Sequence, residues 1–349
     1  MTDVDDPVEV SPGGASALLK QSKTPLDHIQ HALHRYPVIS PATVLVLSFI
    51  VFTFLGNGRF HQPSTIGIML QQTAVLAALA IGQTLIILTA GIDLAVGTAM
   101  LLTHLVVAKI AVDQGVPAIP ALLIGAALGM LLGLFHGGLV TKIGLPPFIV
   151  TLGTFFIFNS TGLVYSDAQT ISKEAIGENS LLLWTGDGIS FGSMRITTGV
   201  VVVIGLYIVF NYILMNTAWG RHVYATGDDR EAARLAGINT TRVLISVYVV
   251  AGLLYAVGGW IQLGRSLSAS SNAATDINLD TITAVVIGGT SLFGGRGRLW
   301  GTLIGALIVT VFRNGLSLAG ADPNYRNFAV GSLILIAVAL DTWIRKVGK

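Results

Sequence analysis

The sequence predicts an all-α protein that crosses a membrane about ten times, and three observations predict it. Its mean hydropathy is +0.74 and only 11% of its residues are charged, where soluble domains carry about a quarter. Its apolar runs are continuous and long enough to span as helices, whereas barrel strands would show short alternating segments. Its 41 glycines let helices approach closely. The absence of cysteine excludes disulfides and thiolate metal sites. A net charge of +2, with no basic patch interleaved with aromatics, gives no footprint for nucleic acid.

Residues 1–36 read as a polar cytoplasmic tail, opening with Asp3, Asp5, Asp6 and Glu9 and lacking a signal peptide's basic start and apolar run. His28, His31 and His34 recur on one helical face, but Asp27 is the one carboxylate nearby, so a solvated face is expected there and no metal site. Residues 37–346 form the transmembrane domain. Spans are expected near Val38–Leu55, Ile68–Leu88, Ala95–Val112, Ile119–Val140, Pro147–Val164, Gly199–Leu214, Leu244–Leu263, Thr281–Leu292, Leu299–Val311 and Phe328–Ile344. The eighth is too short to cross as a straight helix. Residues 165–198 form the long external segment, expected as a solvated loop with short helices and a docking place for a soluble partner.

Lysines and arginines set the orientation. Arg221, Arg230, Arg234, Arg242, Arg296, Arg298, Arg345 and Lys346 fall on one side with the tail's Lys20, Lys23 and Arg35, so both termini and the 216–243 segment are expected in the cytoplasm. Spans two to five and seven to ten then start from opposite sides, which allows an inverted repeat.

The 216–243 segment carries Arg221, His222, Asp228, Asp229, Arg230, Glu231, Arg234 and Arg242 between two long apolar runs. Such charge density cannot sit in hydrocarbon. Within it, Asp228 or Asp229 is placed to cap a short helix over Glu231–Leu235, and Gly237 to stop it. Ala232, Ala233, Leu235 and Ala236 give that helix an apolar docking face, and Arg234 follows Glu231 in the order the helix dipole favours.

Glu231-Ala232-Ala233 followed by Gly237 resembles the loop through which permease subunits of bacterial ABC importers engage their ATPase. No Leu-Pro follows it, and Tyr224–Gly227 with Ala232–Ile238 is more similar to the variant in the ribose, xylose, galactose and fructose permeases. The blocks Gly82–Gly97 and Ala284–Ile308 resemble the same branch, and Leu145–Thr154 and Gly220–Asp229 look most like fructose-type members. The resemblance implies the ten-helix inverted-repeat fold shared with the vitamin B12 importer. It also implies ATPase coupling through Asp229, Glu231, Ala232, Ala233, Arg234 and Gly237, a bacterial inner-membrane location, and the import of a monosaccharide. The implied partners are a second permease subunit, a homodimer being expected, a cytoplasmic ATPase and a periplasmic sugar-binding protein.

The chain is not expected to be an enzyme or to need a cofactor. Gly289–Arg296 has the spacing of a phosphate loop, but Gly295 and Arg296 stand where Lys and Ser/Thr are required. A sugar route needs neutral donors and acceptors, for which Gln71, Gln72, Gln83, Thr84, Thr151, Thr154, Asn159, Thr281 and Thr283 are the candidates. Helix packing accounts for the threonines as readily. No span shows the cluster of aromatic and paired polar residues that tight sugar capture would need, so a weak, low-barrier route is expected, with selectivity left to the binding protein. Asp93, apart from Asp341 the one carboxylate set between apolar runs, is expected to cap the third span between Gly91 and Gly97. Gly294 and Gly295 are expected to shape a tight turn. The rival class is a sugar symporter, which would need titratable carboxylates inside the membrane.

Overall fold

The computed structural model describes residues 39–56, 58–177, 180–271 and 276–322, with scattered positions between 324 and 339. The tail with its three histidines, Glu178, and most of the last expected span lie outside the described residues. Nine apolar helices are described: α1 (Ile39–Leu55), α2 (Pro63–Leu88), α3 (Val96–Asp113), α4 (Ala118–Gly138), α5 (Pro147–Tyr165), α8 (Thr198–Asn216), α11 (Thr240–Ser266), α12 (Ile277–Ile287) and α13 (Leu299–Leu318). Seven are long and apolar enough to cross a membrane, α4 continuing through a π-helical turn to Ile143. α1 and α12, the first and eighth expected spans, are shorter.

Local sequence explains the boundaries. Proline opens α2 and α5, where its missing N–H is no loss. α2 ends in a paired 6→1 and 5→2 closure, Gly91 N–H to the Ile86 carbonyl and Ala90 N–H to the Ile87 carbonyl. Its left-handed residue is Ala90 at φ 59°, not a glycine, so the turn carries about 1 kcal/mol of strain. A Cβ on Gly91 would sit 2.9 Å from Ile86 Cγ2 and 3.2 Å from the Tyr248 hydroxyl.

α2, α3 and α11 make the buried centre, while α4, α5 and α8 turn leucine, isoleucine, valine and phenylalanine outward. The close seam between α4 and α11 is built of glycine. Gly125, Gly129, Gly133 and Gly137 recur at every fourth residue on one face of α4. A Cβ on Gly129 would lie 2.3 Å from the Gly252 carbonyl oxygen, and one on Gly133 2.1 Å from that of Tyr248. α12 and α13 pack antiparallel with the same economy: Gly288 rests on Gly301, and one turn further Ala284 rests on Gly305.

α3 and α12 start against each other in the interior. The Asn278 carboxamide oxygen accepts the Gly97 N–H at 2.6 Å, so one helix's first turn is capped from the other.

The 165–198 segment carries α6 (Lys173–Ile176), α7 (Ser180–Leu183) and a 3₁₀ turn at Trp184–Gly186, the short helices expected there. It also carries a β-hairpin, β1 (Gly188–Phe191) with β2 (Met194–Thr197), which the sequence reading omits. Gly192 at φ 63° opens its two-residue turn. β2 lies on the start of α2 at Gly67, and Gly186 meets Gly264 near the end of α11.

Candidate functional site

The charged segment is more ordered than a loop with one helix. α9 (Ala218–Asp228) precedes α10 (Arg230–Leu235). Thr217 caps α9 by accepting the Gly220 N–H at 3.2 Å, and Asp229 caps α10 by accepting the N–H groups of Glu231 and Ala232 at 2.9 and 3.0 Å. Gly237, at φ 85°, ends α10 as the left-handed residue of a 6→1/5→2 closure, Ile238 to Ala233 and Gly237 to Arg234. Glu231 and Arg234 pair at 3.0 Å but stand in solvent, where such a pair contributes little.

α9 fastens this unit to the bundle. Trp219 Nε1 donates to Ser246 Oγ on α11 at 2.8 Å, and the Tyr224 hydroxyl donates to the Gly297 carbonyl at 2.8 Å. Burial pushes the Tyr224 phenol up, against the opposing pull of Arg298, so it stays a neutral donor. Gly227 leaves no room for a side chain: a Cβ there would fall 1.7 Å from the Leu88 carbonyl oxygen and 2.9 Å from Gly295 N. Gly295 N–H donates to that Leu88 carbonyl at 3.0 Å. Gly294 and Gly295 hold φ 84° and 67°, the tight turn expected of them.

The exposed face of α10 differs from the expected one. Ala233 is 5% exposed, packed toward the bundle, so it seats the helix and does not present it. Ala232 and Ala236 face solvent, and Leu235, 84% exposed, stands out from the helix end.

Asp93 is fully buried, and its Oδ1 accepts the Ala95 N–H at 2.7 Å. That N–H precedes the helix, so Asp93 braces the approach to α3 while Asn278 caps its first turn; the expected capping is corrected to that extent. Oδ2 accepts the Tyr255 hydroxyl at 3.0 Å, near the middle of α11, so residues 89–95 climb into the bundle rather than lying at its face.

Most route candidates are bonded within the helices. Thr281 and Thr283 bond the carbonyls of Ile277 and Leu279 one turn back. Thr84 bonds Ala80 and reaches the Thr302 hydroxyl at 2.9 Å. Thr151 bonds Ile92 and Pro147, and Thr154 meets His136 Nε2 at 2.7 Å. Gln71 reaches the Arg195 carbonyl, and Asn159 is half-buried on α5. Gln83 is fully buried and neither of its amide atoms has a partner among the described residues. The threonine hydroxyls among them are thus engaged by neighbouring groups.

Two concavities lie among the described residues. One, about 440 Å³, lies beneath α9, lined by Thr89–Gly91, Thr141, Thr226, Arg230 and Tyr248. The other, about 350 Å³, opens at the hairpin's end of the bundle, lined by Gln72, Gln262, Arg265, Asp276, Asp280 and Arg313 among others. This second cavity carries paired charges but no aromatic residue. Asp280, 6% exposed, pairs with Arg313 at 2.6 Å, and Asp276 with the same guanidinium at 3.3 Å. Asp93 is thus not alone among interior carboxylates. The register of α12 on α13 explains the pairing, since two turns beyond Ala284–Gly305 it brings Asp276 opposite Arg313.

The family model described as the permease component of the branched-chain amino acid transport system matches residues 65–338. The chain belongs to this permease family. The permease is 47% identical over 326 residues to a fructose import permease protein of Rhizobium meliloti, covering 93% of this chain and 91% of the relative. It is 39% identical over 303 residues to a ribose import permease protein of Bacillus subtilis, covering 87% and 92%. A D-allose transport system permease protein of Escherichia coli is 32% identical over 314 residues, covering 87% and 92%. No solved structure matches the permease.

Proposed function

We propose that this permease is the membrane subunit of an ATP-driven importer of a monosaccharide across a bacterial inner membrane. The observation that carries this is similarity along nearly the whole chain to fructose, ribose and allose permeases. A capped surface helix displaying Leu235 supports coupling to a separate ATPase, engaged through Asp229, Glu231, Ala232, Arg234 and Gly237, with Ala233 holding the helix down. A second copy of the chain and a periplasmic sugar-binding protein complete the assembly, the latter docking over residues 165–198. The route candidates remain a proposal, with Gln72 brought forward because it lines the external cavity. The ten-helix inverted repeat of the vitamin B12 importer is supported by the meeting of α3 and α12, helices that each follow an interrupted segment after a long central helix.

In vesicles holding the permease and its ATPase, with the binding protein added, fructose or ribose uptake is expected to require ATP and to survive collapse of ion gradients. Uptake driven by a proton or sodium gradient without ATP would establish the symporter. Both termini are placed in the cytoplasm. Single cysteines at Asp229 and Ser190 of this cysteine-free chain are then expected to label from opposite sides of intact cells, Ser190 from outside. Labelling of both from outside would overturn that orientation.

A further inference from the structure

We propose that the external cavity is a sugar station within the protomer, a low-affinity site where a neutral monosaccharide rests on Arg265, Asp276 and Gln262 around the Asp280–Arg313 pair. The inference rests on the monosaccharide-import reading and deepens it. At about 350 Å³ the cavity is small, near the lower end of the roughly 300–1,000 Å³ typical of ligand pockets. Its charged lining is two guanidinium groups and two carboxylates, so the site has no net preference for anion or cation. A sugar hydroxyl donates and accepts at once, and neighbouring hydroxyls can bridge a carboxylate and a guanidinium. Val75, Leu76, Ile277 and Val309 supply an apolar wall for the ring's C–H face.

A purely structural clasp would need only Arg313 with its two carboxylates. Arg265 is surplus to it: among the described residues it donates from Nε to Gln262 Oε1 at 3.1 Å, which leaves its terminal nitrogens to donate into the cavity. Gln72 is held in place by Asn314 Nδ2 at 2.6 Å. Arg313 holds both oxygens of Asp280 and one of Asp276, so a sugar shares these acids with the guanidinium and is held weakly enough to be released, as a relay point requires.

The test uses right-side-out vesicles of the permease–ATPase complex in which Gln262→Cys supplies the permease's single thiol, the ATPase being shielded inside. A small polar thiol reagent is expected to react more slowly when fructose, ribose or allose is present, whichever the same vesicles import. The slowing should be about threefold at twice the dissociation constant. A control thiol from Ser190→Cys, on the hairpin and outside the cavity lining, is expected to be unaffected. Adding Arg265→Gln is expected to raise the half-protecting sugar concentration about tenfold, the loss of one charge-assisted hydrogen bond. Val309→Cys gives the same readout from the apolar wall should Gln262→Cys fail to insert. Import without protection at either thiol would overturn the station and leave the transport reading intact, whereas absence of any monosaccharide import would overturn both. Unchanged half-protection in Arg265→Gln would overturn the assignment of that residue.

Discussion

Leu235→Glu is expected to abolish sugar uptake while leaving the permease inserted and folded. Leu235 is 84% exposed, so its replacement disturbs no packing within the chain. Apolar anchors at interfaces are commonly worth about 2–4 kcal/mol, a loss of roughly 30- to 1,000-fold in affinity, and a buried unpaired carboxylate adds to that. Ala233→Asp is expected to cause a comparable loss by a different route, because Ala233 is 5% exposed and a charge there lifts α10 off the bundle. Co-purification of the ATPase separates the outcomes. Normal capture and uptake in Leu235→Glu would remove α10 from the role given to it.

Arg313→Met is expected to destabilise the permease by about 3–5 kcal/mol, since it strands the buried Asp280 carboxylate without its partner. Asp280→Leu combined with Arg313→Met is expected to regain most of that loss, because a buried ion pair replaced by apolar groups of similar volume is often near neutral. Asp276, which loses the same guanidinium, is exposed and remains solvated. Thermal unfolding in detergent gives the comparison. A single variant as stable as the parent, or a double variant no better than the single, would show that the pair does not bear on stability as argued.

Much of this architecture was legible because punctuation and hydropathy agreed. Thr89-Ala-Gly ends α2 where the apolar run stops, Pro146-Pro147 opens α5, and the shortness of the eighth span became the shortness of α12. α9 was missed because its charges outweighed its pattern; Thr217 as a cap and Trp219 four residues before Val223 were the available signals. The hairpin was equally readable in Phe191-Gly192-Ser193-Met194, with alternating side chains on either side. The Asp280–Arg313 pair was not readable, since each residue stands alone in its own run and only the packing of α12 on α13 sets them together. The orientation of α10 was likewise beyond its sequence: alanines at 232, 233 and 236 are equivalent until α9 decides which of them faces the bundle.

The meeting of Gly227 with Leu88 and Gly295 has a mechanical consequence. Backbone touches backbone there, so no rotatable side chain lies between α9, the end of α2 and the turn leading into α13. Joints of this kind have little slack, because a close-packed contact without torsional freedom must move as a piece or separate. If α10 is the coupling helix proposed above, a displacement of α9 bears directly on α2 and on the turn before α13, two helices that also line the second cavity. Any residue larger than glycine at position 227 would act like grit in a hinge.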